Sequence, residues 1–268
     1  MANYIFFLDV DGTLLRNNTE IQQEVIDAAK AFRNAGGEIT LSTGRSPIST
    51  KWVAEKFDIT LPAILYGGAS LYDFNQGKHL ITHHLKNDIL DATKLVLELD
   101  SGISVQVYTT EKIFLLHSTS LLRERGVQEE FNISTPAKIE DIYGDILKIV
   151  LTCEDPNLLQ KCHDTIFTDS DFYFAFSGRR FAEVVAGHVN KAVMNAHLLN
   201  KLNIPLSRTF AAGDSMNDYQ MMIECAYTFS PINSNSKILE LCNETIPVCE
   251  EGGVAIAFEK AIKIMQTT

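Results

Sequence analysis

The chain has 268 residues, 46% hydrophobic and 21% charged, with a formal net charge of −11, enough for one large domain or two moderate ones of ordinary globular composition. The negative charge argues against a nucleic-acid surface or an anionic membrane as partner, but not against a small phosphorylated molecule, because a metal ion or a lysine reverses the sign locally. No stretch approaches the roughly 18 apolar residues of a spanning helix. "MANYIFFLDVDG" lacks the basic region and the apolar length of a signal peptide, so a cytoplasmic location is expected. Five cysteines, an odd number without a CxxC pair, predict reduced core thiols and exclude a zinc ribbon or disulfide framework.

Residues 4–9 read as a buried strand that runs straight into Asp9 and Asp11, with Gly12 and Thr13 next. Two carboxylates about 4 Å apart repel by about 4 kcal/mol at an effective dielectric of about 20. They are tolerated with a cation between them or a proton on one. Asp-Gly between apolar residues is also a hairpin signal, although the return strand would be only Leu14-Leu15. The other reading is a strand ending in a metal or phosphate site, where residues i and i+2 start from one side.

Further along, "TEIQQEVIDAAKAFRNAGG" predicts an amphipathic helix capped by Thr19 and stopped at Gly36-Gly37. "EITLST" is a second strand. "SPISTKWVAEKF" is a helix with Ser46 at its N-cap and Pro47 at its first position, and "PAILYGG" is a third strand. Such alternation predicts a parallel sheet covered on both faces. After Leu80 the pattern changes to α+β. The helix "DILDATKLVLELD" leads to paired strands "ISVQVYT" and "KIFLLH", the helix "SLLRERGVQEEF", the strand "ILKIVLT", the helix "PNLLQKCHDTIF" and the strands "DFYFAFS" and "RFAEVVA". Alternation then returns with "NKAVMNAHLLNKL", "TFAAGD", "YQMMIECA", "YTFS", "SKILELC" and a closing helix. The expected fold class is α/β: a Rossmann-like parallel-sheet core of residues 1–81 and 188–268, interrupted by an inserted α+β domain of residues 82–187. Trp52 and Met221-Met222 read as core, and His83-His84 as a linker detail.

Ligands of an open parallel sheet bind beyond the carboxyl ends of its strands. Three strand ends carry polar clusters here: "LDVDGT", "LSTGRS" and "AAGDSMND". Each has a plain explanation alone. Asp214 and Ser215 can cap the next helix, Thr43-Gly44 can be a simple loop, and Lys191 a solvated charge. Clusters at three equivalent ends favour one shared site over separate accidents and over the hairpin turn.

These motifs resemble the haloacid dehalogenase-like hydrolases. Asp9-Val10-Asp11-Gly12-Thr13 is similar to the first motif of that superfamily, Thr43 in "STGR" to its second, Lys191 in "HVNKAVMNAHL" to its third and "GDSMND", Gly213 to Asp218, to its fourth. The insertion resembles the cap of the Cof-type, class IIB branch. The resemblance implies an Mg²⁺-dependent phosphatase of a small phosphorylated metabolite, a sugar phosphate first. Asp9 would be the nucleophile that forms an aspartyl-phosphate, and Asp11 the general acid and base. The Asp9 carboxylate, the Asp11 carbonyl and the Asp214 carboxylate would hold the metal, with Asp218 toward the metal shell or Lys191. Gly12, Thr43, Gly44, Lys191 and Asn217 would bind phosphate or substrate. The cap would choose the leaving group, hinged near Thr82-His83 and Gly187-His188.

Two stretches depart from the family pattern: Gly67-Gly68-Ala69 stands where an Asn-Gly-Ala is common, and "FSPINSNS" where a small apolar stretch is common. Both put substrate contacts, rather than phosphoryl transfer, in question. The cap turn "SGRR", Ser177 to Arg180, offers cations suited to a sugar or carboxylate but reads first as an ordinary solvated hairpin turn. A phosphomutase of the same fold and a catalytically silent sugar-phosphate-binding protein remain as alternatives, and a monomer and a homodimer are both open.

Overall fold

The computed structural model describes residues 4–16, 20–86, 88–121, 133–134, 138–176 and 179–267. The chain divides into two units, Met1–Ile81 with Asn190–Thr268, and Thr82–Val189 between them.

In the first unit, strand β1 is Tyr4–Leu8, apolar throughout and buried at every residue, as suits a strand inside a parallel sheet. Helix α1 is Gln23–Asn34, whose inward residues Val25, Ala28, Ala29 and Phe32 follow the helical repeat. It starts later than expected: Gln22 adopts the extended cap conformation without capping the helix, its side-chain amide donating instead to the Glu250 carbonyl. Thr19 lies outside the described residues. Strand β2, Gly37–Leu41, leads to α2, Pro47–Lys56, and here Ser46 caps as expected, its side chain accepting from the Ser49 N–H. The expected third strand is short. β3, Ala63–Leu65, joins the main sheet's ladder through a Ser42–Ile64 bridge and pairs antiparallel with β4, Ser70–Asp73. β5, Lys78–Thr82, completes a three-stranded sheet that the sequence did not announce.

The second unit contains α3 (Ile89–Leu99), β6 (Ile103–Thr109), β7 (Ile113–His117), β8 (Ile133–Ser134), β9 (Ile146–Cys153), α4 (Pro156–Thr165), β10 (Phe172–Phe176) and β11 (Phe181–Ala186). Its sheet order is β10-β11-β9-β6-β7-β8, antiparallel except between β7 and β8. Most of the expected helix "SLLRERGVQEEF", and Ser177-Gly178 of the arginine turn, lie outside the described residues. Arg180 pairs with Glu154 at 3.1 Å, both exposed. His188 and His83 share a ring-nitrogen contact of 3.2 Å, so His83 ties together the two segments that connect the units.

The chain then returns to the first unit with α5 (Lys191–Leu202), β12 (Thr209–Ala212), α6 (Tyr219–Glu224), β13 (Tyr227–Pro231), α7 (Ser236–Leu241), β14 (Glu244–Ile246) and α8 (Gly253–Thr267). The main sheet is parallel, in the order β14-β13-β12-β1-β2. Along β1 the side chains alternate between two cores. Phe6 meets Phe32 of α1 and Phe258 of α8 on one face, while Ile5 and Phe7 join Met194, Leu198, Met221 and Met222 on the other. Trp52, expected in the core, is 38% exposed. Among the described residues no helix is long and apolar enough to cross a membrane.

Candidate active site

The sheet order makes β12, β1 and β2 neighbours, so the loops leaving their carboxyl ends start side by side. The Asp9 N–H still donates to the Ala212 carbonyl at 3.0 Å, and the Ser42 N–H to the Leu8 carbonyl at 2.9 Å. The ladder therefore holds backbone firmly up to the residue where the chemistry begins. All residues discussed next belong to the first unit.

Lys191 opens α5 directly after the cap residue Asn190, whose side chain accepts from the Val193 N–H at 3.0 Å. It lies against the turn at Gly68, where an added Cβ would come within 2.1 Å of the Asn190 carbonyl oxygen. That approach, with φ of +107° at Gly68, requires glycine. The Lys191 ammonium is completely buried and donates to Asp9 Oδ1 at 2.6 Å and to Asp218 Oδ1 at 2.5 Å. The other Asp218 oxygen accepts from the Asp214 and Ser215 N–H groups, each at 3.1 Å. Asp218 thus joins the lysine to the loop after β12. Thr13 Oγ1 donates to Asp214 Oδ1 at 3.1 Å. Gly12, at φ +88°, leaves the space in which the Asp214 carboxylate sits, since a Cβ there would be 2.3 Å from Asp214 Oδ2.

Asp9, Asp214 and Asp218 each bring a carboxylate oxygen within 4.8 Å of the others. One ammonium stands among three carboxylates, and the surplus negative charge is out of water. Burial raises the Asp9 carboxyl well above its ordinary range, Asp218 adds to this, and Lys191 only partly opposes it. Burial and Asp218 likewise push Asp214 up to about 7, against the pull of Thr13 and Lys191. For Lys191 burial works toward the neutral amine, but Asp218 and Asp9 outweigh it and the ammonium is held. A dense set of hard oxygen donors with excess negative charge fits a small divalent cation.

The Asp11 carboxylate is not part of this cluster. It is 62% exposed and clamped by Arg45, whose Nε donates to Oδ2 at 2.8 Å and Nη2 to Oδ1 at 2.6 Å. Its charge is nevertheless felt by both Asp9 and Asp214. Thr43 is buried, its N–H donating to the Ile64 carbonyl and its hydroxyl accepting from the Arg45 N–H at 3.3 Å. Gly44 is half-buried between them. Asn217 is exposed, its side-chain oxygen accepting from Ser215 Oγ at 2.7 Å. Two contributors were missed from sequence, Arg45 and Thr13. Both stand inside the quoted motifs, and Arg45 directly follows Thr43-Gly44 at the end of the strand beside the one that carries Asp9 and Asp11.

A family model described as haloacid dehalogenase-like hydrolase matches residues 6–258. The chain belongs to that family and is therefore a hydrolase. It is 22% identical to the 5-amino-6-(5-phospho-D-ribitylamino)uracil phosphatase YitU of Bacillus subtilis, over 94% of this chain and 95% of the relative. It is 23% identical to the phosphatase YwpJ of the same organism, over 92% and 96% of the two chains. Among solved structures, a haloacid dehalogenase-like hydrolase from Bacteroides thetaiotaomicron superposes with a TM-score of 0.84 at 19% identity, covering 96% of this chain and 98% of its own. A sugar phosphatase of subclass IIB superposes with a TM-score of 0.82 at 15% identity, covering 96% and 98%. These likenesses establish the mixed α/β fold and set the chain among the Cof-type phosphatases.

Proposed function

We propose that this hydrolase is an Mg²⁺-dependent phosphatase of a small phosphorylated metabolite, a sugar or polyol phosphate first, working through an aspartyl-phosphate on Asp9. The observation that carries the proposal is the buried cluster at the β1 and β12 ends, with one lysine shared by Asp9 and Asp218. A binding protein gains nothing from gathering three carboxylates, two of them buried, around one ammonium, whereas phosphoryl transfer needs a carboxylate nucleophile with charge compensation beside it.

Asp9 attacks phosphorus, and the bond from phosphorus to the ester oxygen breaks as Asp11 gives that oxygen a proton. Asp11 then takes a proton from water, which attacks the aspartyl-phosphate and frees phosphate. Lys191 and the Thr43 hydroxyl stabilise the phosphoryl oxygens as charge builds on them, with Gly12, Gly44 and Asn217 lining the path of the substrate. Asp218 holds Lys191 and the Asp214 loop in place. Mg²⁺ held by the Asp9 and Asp214 carboxylates and the Asp11 carbonyl would lower the repulsion between nucleophile and phosphoryl group. Residues 82–189 serve as the cap that selects the leaving group. That YitU is named for a phosphoribitylamino substrate and a structural neighbour as a sugar phosphatase supports a hydroxylated leaving group.

The test is phosphate release from p-nitrophenyl phosphate, hexose, pentose and pentitol phosphates, pyridoxal phosphate and nucleotides, with Mg²⁺ and again with EDTA. Release from several esters that stops with EDTA is expected. No release from any ester by folded, Mg²⁺-loaded protein refutes the proposal.

The raised carboxyls add a pH signature. Asp214 is pushed from an ordinary 3.8 to about 7 by burial first. Its contribution to stability is therefore present below about 4 and lost as pH rises through about 7 in metal-free protein. The cation takes the ionised form, so its affinity falls by about tenfold for each pH unit below 7 per proton displaced. Saturating EDTA against a fixed Mg²⁺ concentration should show a larger metal-induced rise in Tm at pH 8 than at pH 6. An equal or larger rise at pH 6 contradicts the assignment of Asp214 as a ligand.

A further inference from the structure

Strand β10, Phe172–Phe176, is an open edge of the second unit's sheet, since the order β10-β11-β9-β6-β7-β8 gives it a neighbour on one side only. Its sequence, FYFAF, holds four aromatic residues and no charge, proline or glycine. None of the five is fully buried, and Tyr173 and Phe176 are 46% and 43% exposed. An exposed edge is a template for another strand, and proteins ordinarily blunt it with shortness, proline or charge. Three other edges in this chain are blunted in that way. β8 has two residues, β14 has three, and β5 opens on Lys78 and His79. β10 has none of these devices.

The ladder to β11 fixes which backbone groups the edge offers. Facing residues of antiparallel strands alternate between pairs that exchange both backbone bonds and pairs that exchange none. The Gly187 N–H donates to the Asp171 carbonyl at 2.8 Å, which makes Phe172–Ala186 a pair of the second kind, and with it Phe174–Val184 and Phe176–Ala182. The N–H and C=O groups of Phe172, Phe174 and Phe176 therefore point away from β11. The Phe172 N–H is taken by the Asp169 carbonyl at 3.1 Å. That leaves both groups of Phe174 and of Phe176 on offer, and among the described residues nothing takes them.

We propose that β10 pairs antiparallel with β10 of a second copy of this chain, about a two-fold axis through Ala175, joining two six-stranded sheets into one. Phe174 of each copy then faces Phe176 of the other and exchanges both backbone bonds with it, so all four offered groups are met. Three observations favour this occupant. The residue on the axis meets its own copy at the closer Cα spacing of about 4.5 Å, and the residue standing there is alanine, the smallest of β10. Phe174 and Phe176 already cluster with His163, and Phe174 with Phe167, an aromatic strip that the new cross-strand pairs continue over the axis. The charges are self-complementary as well. The register sets Asp171 opposite Arg179 of the second copy, and all of Asp169, Asp171, Arg179 and Arg180 are exposed. The approach to β10 has two acids against one lysine, Lys86, and the turn after it two arginines against one acid, Glu154. Antiparallel pairing lays each acidic start beside a basic end. Such a contact is isologous and closes at two copies. It uses no residue of the Asp9 cluster and stands whether or not the chain is a phosphatase.

The experiment reads mass by sedimentation in low salt and contact by cross-linking. The parent should approach twice the 29.9 kDa of one chain at about 200 µM and fall toward the single-chain mass near about 1 µM. Ala175→Lys sets two ammonium groups face to face at the axis, whereas within one chain its cross-strand neighbour is Glu183. It should keep the parental circular dichroism and Tm and stay at the single-chain mass at about 200 µM. Ala175→Cys treated with copper phenanthroline should form an interchain disulfide, seen as doubled mass without reductant, because Cα atoms about 4.5 Å apart lie within reach of that bond. Leu95→Cys, at an exposed position of α3, is the control and should not cross-link. A parent that stays at 29.9 kDa at about 200 µM overturns the pairing. So does a folded Ala175→Lys that dimerises like the parent, or an Ala175→Cys that cross-links no faster than Leu95→Cys.

Discussion

Replacing Asp9 with Asn is expected to lower phosphate release by about four orders of magnitude or more while leaving the fold intact. The size of the loss follows from what a nucleophile does: without it the two-step route is closed, and only binding and electrostatic assistance to water remain. The intact fold follows from the geometry. An asparagine at position 9 keeps the shape of the carboxylate and still offers an oxygen to the Lys191 ammonium, now 2.6 Å from Asp9 Oδ1. It also removes one negative charge from a group of three carboxylates, where burial and Asp218 already disfavour the ionised form of Asp9. In EDTA at pH 8 the thermal midpoint should be at or above the parental value. Rate and midpoint are therefore expected to move independently. A variant that retains about a tenth of parental turnover excludes Asp9 as nucleophile, and one that loses turnover and fold together leaves only a structural role for it.

The parts of this site that the sequence declared are those where local chemistry is concentrated at strand ends. β1 is buried on both faces and carries its polar residues immediately after its last apolar one, so its place in the sheet and the start of the site coincide. The Ser46-Pro47 start of α2 was equally plain. Other features depend on contacts that no local pattern encodes. The three residues Ala63–Leu65 satisfy a parallel or an antiparallel sheet equally well. What turns them aside is the following turn, where Tyr66 takes φ +55° and Gly67 φ +68°. β14, Glu244–Ile246, is too short and too mixed in polarity to announce itself. Trp52, expected in the core, stands on the outer side of α2. The inward stripe of α2 and its end is Thr50, Val53, Ala54 and Phe57, which leaves position 52 on the outer side. The Asp11–Arg45 clamp spans 34 residues and exists only once β1 and β2 lie side by side.

Lys191→Met should be the most destabilising single change in the first unit at alkaline pH. The lysine is completely buried and is hydrogen-bonded to two buried carboxylates, Asp9 and Asp218. Removing one partner of a buried ion pair costs about 3–5 kcal/mol, because the remaining charge is left in a poor solvent. Here two charges are left, with Asp214 close by. Methionine fills much of the same volume, so the loss is electrostatic rather than a cavity effect. This gives the deficit a pH dependence of known sign. Asp9 is already raised above its ordinary range, chiefly by burial and Asp218, and Lys191 is the group that opposes the rise. Without the ammonium its carboxyl rises further, so protonation relieves the strain at lower pH and ionisation restores it. The variant should therefore fall furthest below the parent at pH 8 and less at pH 6, with Mg²⁺ recovering part of the pH 8 deficit by taking over as countercharge. Urea unfolding of parent and variant at both pH values, with EDTA and with Mg²⁺, measures all three effects. A deficit that is the same at pH 6 and pH 8 and indifferent to Mg²⁺ means that Lys191 acts through packing, and the charge balance assigned to the cluster is then wrong.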